Sequence, residues 1–222
     1  MRELKIVGNK HQSLSRNYLA RVTNPEFPKH EAAMLAKEWG YDYWDGNREI
    51  CYGGYFYRPG YWSDVANSLI ENYRLNNQSK ILEIGCGKGF LLYEMQLLLP
   101  GLDVYGLDIS TYAIENAKEE IKDRLILGNA QELPYATGQF DFAFSINTFH
   151  NLYNFELFNA LKEIVRVSQE SYICVESYTT ELQKANLLYW QVTCESFYTP
   201  NEWAWFFELS GYTRDYEFIF FD

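Results

Sequence analysis

No stretch of this sequence approaches the ~20 consecutive apolar residues of a membrane span. Its first residues, MRELKIVGNKHQSLSRNYLARV, hold no apolar run of the kind a secretory signal needs. Cysteine pairs are missing too: Cys51, Cys86, Cys174 and Cys194 stand far apart, with no CxxC and no histidine at zinc-ligand spacing. Neither a disulfide framework nor a metal site is indicated, and a reducing, cytoplasmic setting is the expectation. Histidine is scarce, so His11, His30 and His150 are the whole choice for an imidazole base. Positive charge is also in short supply: 19 Lys and Arg face 30 Asp and Glu, a formal net charge of −11. Without a basic run that would follow a phosphate backbone, nucleic acid is a poor partner. A small molecule is the expected one, and a homodimer is left open.

What is present is the composition of a folded globular protein, 47% hydrophobic and 22% charged over 222 residues. From Ser79 onward short apolar runs alternate with longer segments of helical period. Residues 81–84, 104–107, 125–127, 140–146 and 172–175 read as strands, and 90–99, 111–121 and 155–167 as helices. In the last of these Phe155, Phe158, Leu161 and Val165 recur as one apolar stripe suited to packing on a sheet. Thr199-Pro200-Asn201-Glu202 is a capping box with proline at the first helical position, and Gly211 stops the helix that it starts. The closing RDYEFIFFD reads as an edge strand added antiparallel.

The first 75 or so residues do not continue the alternation. Helical character at 27–39 and 62–75 flanks GYDYWDGNREICYGGYFYRPGYW, which has too many glycines for a regular element and too many aromatics for a solvated loop. It reads as a cap. The expected division is therefore a cap and lid over residues 1–75 and an α/β domain over 76–222, with helices on both faces of a mostly parallel sheet.

ILEIGCGKGF, from Ile81 to Phe90, places Gly85, Gly87 and Gly89 where a buried strand turns into a helix. Glycine there lets the backbone take positive φ and lets a ligand come close, while the helix N-terminus offers free N–H groups. Asp108, at the end of the next strand in VYGLDIS, is placed to accept from ribose hydroxyls. The spacing is GxGxG, not the GxGxxG of dinucleotide sites, and Glu83 precedes it.

At these residues the sequence resembles the class I S-adenosylmethionine-dependent methyltransferase family, whose first motif has the form of ILEIGCGKG. GNAQELPYATGQFDFAFSINTFHNL resembles the family's adenine-contact and fourth-strand block, and the likeness covers about two-thirds of the chain. The resemblance implies a Rossmann-like fold, S-adenosylmethionine as cofactor and S-adenosylhomocysteine as product. By position it implies that Gly85, Cys86 and Gly87 line the methionine moiety and Glu83 orients the loop and the ammonium. Asp108 would hold the ribose, Ile109 would lie against adenine, Ala130 would offer its N–H to the ring, and Asn147 would stand beside the cofactor. Asn129 occupies a place where aspartate is common, and its amide oxygen still accepts.

His150, after the fourth strand, is the leading candidate for a general base, with a contact to loop backbone or cofactor as the plain alternative. For the acceptor the candidates are Tyr55, Tyr57, Arg58, Glu176 and Trp190, with Glu195 and Tyr198 as further wall residues. Tyr52, Tyr55, Tyr57, Tyr61 and Trp62 would form a lid or anchor the cap as a satellite core. The expected activity is methyl transfer to oxygen or nitrogen of a small polar molecule, a sugar, amino sugar or other metabolite. As a whole the chain resembles methyltransferases of bacterial surface-sugar and secondary-metabolite pathways. A cofactor-binding module without catalysis and a nicotinamide oxidoreductase remain as alternatives, the latter set against GxGxG and GNAQELP.

Overall fold

The computed structural model describes residues 1–8 and 18–222; His11 lies outside the described residues. Six strands, β1 (Lys80–Ile84), β2 (Asp103–Asp108), β3 (Leu125–Leu127), β4 (Phe140–Ile146), β5 (Ser168–Glu176) and β6 (Asp215–Ile219), form one sheet in the order β3-β2-β1-β4-β5-β6. Helices α1 (Tyr18–Thr23), α2 (Lys29–Ala36), α3 (Tyr41–Trp44) and α4 (Ser63–Asn72) precede it. Helices α5 (Phe90–Leu98), α6 (Thr111–Glu115), α7 (Asn154–Val167), α8 (Glu181–Trp190) and α9 (Pro200–Ser210) alternate with the strands.

All the strand pairs are parallel. The central strands are apolar throughout because both faces are covered. Ile81, Phe142 and Phe144 belong to the core on one side, and Leu82, Ile84 and Ala143 to the core on the other. The expected antiparallel edge strand is corrected: β6 pairs parallel with β5, Tyr172 opposite Asp215 and Glu176 opposite Ile219. The connection from β5 carries α8 and α9, and a crossover of that length returns the chain to the starting edge, so the next strand runs the same way.

Two other expectations change. The stripe of α7 that meets the core is Leu157, Ala160, Leu161, Ile164 and Val167; Phe155 is 66% exposed and stacks on Tyr153. This i, i+3, i+4, i+7 set runs through to the sheet without a break, whereas the set from Phe155 does not. The helix from Thr111 ends at Glu115 because the Lys118 N–H leaves to donate to the Lys88 carbonyl at 2.9 Å, and a 3-10 turn over Glu119–Arg124 follows. Helix α8 had no clear sequence signal; of Leu187, Leu188 and Tyr189, only Leu187 is buried.

Residues 1–8 lie along β6 and not in the cap. The buried Glu217 carboxylate accepts the N–H groups of Ile6, Val7 and Gly8, and the Tyr172 hydroxyl donates to it at 2.5 Å. Helix α4 also joins the sheet, since Val65, Ala66 and Leu69 are part of its core. What remains as a separate layer is the segment from α2 through the aromatic stretch, with its own cluster of Ala32, Ala36, Tyr43, Trp44 and Ile50 against Ala113. The capping box of α9 forms as its sequence implies: Glu202 Oε2 accepts the Thr199 N–H at 2.8 Å, and Gly211 ends the helix at φ 76°.

Candidate active site

In an open parallel sheet the strand order reverses between β1 and β4, and the carboxyl ends around that point enclose a crevice. Here those ends carry Gly85, Asp108, Asn147 and Glu176 or stand next to them. The cavity on this edge measures about 390 Å³. Glu83, Gly85, Cys86 and Gly87 line it from the first loop, and Asp108 and Ile109 from the second. Asn129 and Ala130 contribute from the third and Asn147 from the fourth, so all nine residues that the motif resemblance assigns to the cofactor face one space.

The glycine loop is held from both sides. The N–H groups of Gly85 and Cys86 donate to the Leu107 carbonyl at 2.7 and 3.1 Å, and Gly87 N–H donates to Asp108 Oδ2 at 2.7 Å. Asp108 Oδ1 accepts the Ser110 N–H at 2.8 Å, and the carboxylate keeps acceptor capacity for a ribose hydroxyl. Gly85 has φ 80°, and a Cβ there would meet Thr148 Oγ1 at 2.0 Å. Gly87 has φ 53°, and its missing Cβ would stand 2.8 Å from the Trp44 ring. Glycine therefore serves the cap here as well as any ligand, because only a bare Cα admits the indole.

Two carboxyl groups face the cavity in a dry setting. Glu83 is buried, and among the described residues its Oε2 has no hydrogen-bond partner. Burial, with the Asp108 charge behind it, pushes the Glu83 carboxyl well above the ordinary carboxylate range. Burial also raises Asp108, although the N–H groups of Ser110, Gly87 and Ile109 pull the other way. An orphaned carboxyl oxygen beside a glycine cradle suits a ligand that brings a cation, and S-adenosylmethionine brings an ammonium and a sulfonium. Asn129 is partly committed: its Oδ1 accepts the Gln131 N–H at 3.0 Å, with one lone pair left for adenine.

The cap is clasped to this loop by buried polar contacts. Lys88, within the glycine loop, donates from Nζ to Asp45 Oδ2 at 2.6 Å and to the Tyr55 carbonyl at 3.0 Å. Asp45 also accepts from the Tyr112 hydroxyl and the Tyr55 N–H, at 2.8 and 2.9 Å. These donors hold its carboxyl below its usual value against the opposing effect of burial. Glu94, on α5, takes the Tyr57 hydroxyl and the Ser63 hydroxyl, each at 2.6 Å. Tyr57 is thus spent on Glu94 and lines neither cavity, contrary to its expected place at the acceptor. Trp44, stacked on Tyr52, donates from Nε1 to Ser110 Oγ at 2.9 Å.

A second cavity of about 380 Å³ adjoins the first, and Tyr52, Tyr55, Trp62 and Asn147 line both. It gathers the other acceptor candidates, Arg58, Glu176 and Trp190, together with His150. His150 is buried, its Nδ1 accepts the Glu176 N–H at a long 3.4 Å, and its Nε2 lies 3.7 Å from Glu176 Oε2. Gln191 Nε2 donates to both Glu176 oxygens at 2.5 Å. Asn147 sits between the cavities with φ 56°, a left-handed conformation that asparagine tolerates better than most residues. Glu195 lines the first cavity and pairs with Lys37, while Tyr198 lines neither and packs on Trp203 and Phe206. Two residues without a motif signal also reach the second cavity, Arg21 because α1 packs on α8 and Arg48 from the loop after α3. Among the described residues no group of side chains could hold a metal ion and no helix is long and apolar enough to cross a membrane.

Residues 82–175 match a family model described as a methyltransferase domain. The chain is 36% identical over 75 residues to malonyl-[acyl-carrier protein] O-methyltransferase of Legionella pneumophila, a match covering 32% of this chain and 26% of the relative. It is 29% identical over 111 residues to 27-O-demethylrifamycin SV methyltransferase of Amycolatopsis mediterranei, covering 42% of this chain and 40% of that protein. The chain thus spans less than half the length of either relative. Among solved structures, the YcgJ protein of Bacillus subtilis superposes with a TM-score of 0.52 at 17% identity, over 65% of this chain and 66% of that one, a likeness of fold. Residues 82–175, which carry the glycine loop, the strand-end Asp108 and most of the parallel sheet, are thus similar to a methyltransferase domain.

Proposed function

We propose that this protein transfers a methyl group from S-adenosylmethionine to an oxygen or nitrogen atom of a small polar molecule. The observation that carries the reading is the pair of adjoining cavities that meet at Asn147 beneath one aromatic cap. The cofactor, when bound, supplies an electrophilic methyl group. The chain's own part is to bring a nucleophile into line and keep water away, and positioning of that kind supplies much of the acceleration in a displacement. Glu83 and Asp108 would anchor the ammonium and the ribose. Tyr52, Tyr55 and Trp62 would cover the passage between the cavities.

Where the nucleophile is a hydroxyl, it must lose a proton, and His150 on the acceptor wall would take it at Nδ1, once the long contact from the Glu176 N–H gives way, with Nε2–H kept toward the Glu176 carboxylate. An imidazolium at His150 would be stabilised by the Glu176 carboxylate, which Gln191 holds in place. An amine nucleophile would need only the positioning.

The test has two parts. Unfolding midpoints are measured with excess S-adenosylmethionine, S-adenosylhomocysteine and NAD; a ligand at ~100 times its dissociation constant stabilises by about 2.7 kcal/mol, several degrees of midpoint. S-Adenosylhomocysteine release is then followed with a panel of hydroxyl and amine acceptors. Stabilisation by the two sulfur ligands with turnover of an acceptor is expected. A shift with NAD alone would overturn the reading, and cofactor binding with no turnover across the panel would favour a non-catalytic module.

A further inference from the structure

Resting on the methyl-transfer reading, we infer that the acceptor is a small acid whose carboxylate or phosphate is held by Arg21 and Arg48 on the Trp190 ring, at the end of the second cavity away from the cofactor.

In a chain with a net charge of −11, three arginines converge on this one cavity: Arg21, Arg48 and Arg58. Among the described residues none of the three forms an ion pair. The guanidinium carbons of Arg21 and Arg48 both lie over Trp190, at 5.1 and 5.4 Å from the ring centroid. Among the described residues each donates one side-chain hydrogen bond to backbone, Arg21 Nη2 to the Ile50 carbonyl and Arg48 Nη1 to the Cys51 carbonyl. Arg21 Nε is buried and has no acceptor among the described residues. Two like charges on one indole, one with an unanswered donor, form a fork that an anion completes, since a planar guanidinium matches carboxylate and phosphate oxygens.

The acids nearby do not fill that place. Glu49 is exposed, and Asn24 donates to its Oε2 at 3.3 Å. Glu176 lies across the cavity with both oxygens on Gln191. Burial and the neighbouring Arg48 charge both weigh against the Arg21 cation, burial more, so a bound anion would relieve a standing cost.

Position separates this anchor from the reacting atom. Tyr52, Tyr55 and Asn147 line both cavities, whereas Arg21, Arg48 and Trp190 line only the second. An acceptor spanning the second cavity therefore presents its nucleophile at the Asn147 rim and its anionic group at Trp190. Neutral sugars and amines would leave the Arg21 donor unanswered, and sites built around such donors reject analogues that lack the acceptor.

The experiment uses the full chain, with and without S-adenosylhomocysteine. Binding of 4-fluorobenzoate is followed by fluorine NMR line broadening, 4-fluorobenzamide serves as the neutral match, and inorganic phosphate is followed by phosphorus NMR. At least one anion is expected to bind, at least tenfold more tightly than the amide, and which of them binds distinguishes carboxylate from phosphate. Arg21→Gln and Arg48→Gln should each weaken it tenfold or more, while Lys162→Gln, an exposed charge on α7, should not. Arg48 is exposed, so its variant will fold even if Arg21→Gln does not. Failure of both anions to bind, equal binding of acid and amide, or wild-type affinity in Arg48→Gln would overturn the inference. If S-adenosylhomocysteine fails to bind while the anion behaves as expected, the methyl-transfer reading falls and the anion site stands.

Discussion

Replacing Glu83 by glutamine should move two quantities in opposite directions. In the free protein the Glu83 carboxyl is buried, unpartnered at Oε2 among the described residues and raised in pKa. A raised carboxyl contributes stability that is fully present below its unfolded value and lost as pH rises through the folded one. The neutral amide removes that loss, but its buried N–H donors stay unanswered, so Glu83→Gln should gain no more than about 1 kcal/mol at neutral pH. For a chain of this size that is ~2–4 °C of midpoint. The gain should fade at acid pH, where wild-type Glu83 is itself neutral. Cofactor binding should suffer: a hydrogen bond to a charged partner contributes ~1.5–3 kcal/mol, so the dissociation constant for S-adenosylmethionine should rise about 10- to 100-fold. Calorimetric titration and thermal unfolding across a pH series read both, and wild-type affinity should increase as pH rises through the raised Glu83 value. A variant that loses stability and keeps wild-type affinity would refute the reasoning, since Glu83 would then be a structural residue.

Lys88→Met should destabilise by about 2–3 kcal/mol, below the full cost of breaking a buried pair because Asp45 keeps Tyr112 and the Tyr55 N–H; denaturant unfolding reads it. Because Asp45 is depressed by its donors, its contribution is present above the ordinary carboxylate range and disappears as pH falls through the folded value, so wild type and variant should converge in acid. Gly87→Ala adds a left-handed penalty of ~1–2 kcal/mol and a clash with Trp44. The combination with Trp44→Leu should recover the clash part alone, and strict additivity in a double-mutant cycle would disprove the contact. His150→Ala should lower kcat ~10²–10⁴-fold toward a hydroxyl acceptor with cofactor affinity kept; a loss of cofactor binding instead would place His150 in the other cavity.

Much of the site was legible because it is local. The glycine loop, Glu83, Asp108 and the helix after them lie within one strand-turn-helix-strand stretch, and all nine cofactor residues named from the motifs face the same cavity. The capping box at Thr199 was equally plain, since its partners are three residues apart. Tyr57 was misleading because its hydroxyl and a substrate-facing tyrosine look alike until Glu94 is placed beside it. Arg21, on α1, and Arg48, in the loop after α3, carried no signal, being single arginines outside any motif.

The sequence by itself determined the alternation of strand and helix, the turn that cradles a ligand and the acids that flank it, because short-range periodicity and backbone sterics encode these. Tertiary structure decided the direction of β6, the face that α7 buries, the clasp between Lys88 and Asp45 and the meeting of Arg21, Arg48, Trp190 and Glu176 around one cavity. Each of these joins residues distant in the chain, and their proximity follows from how the crossovers pack, which no local pattern records.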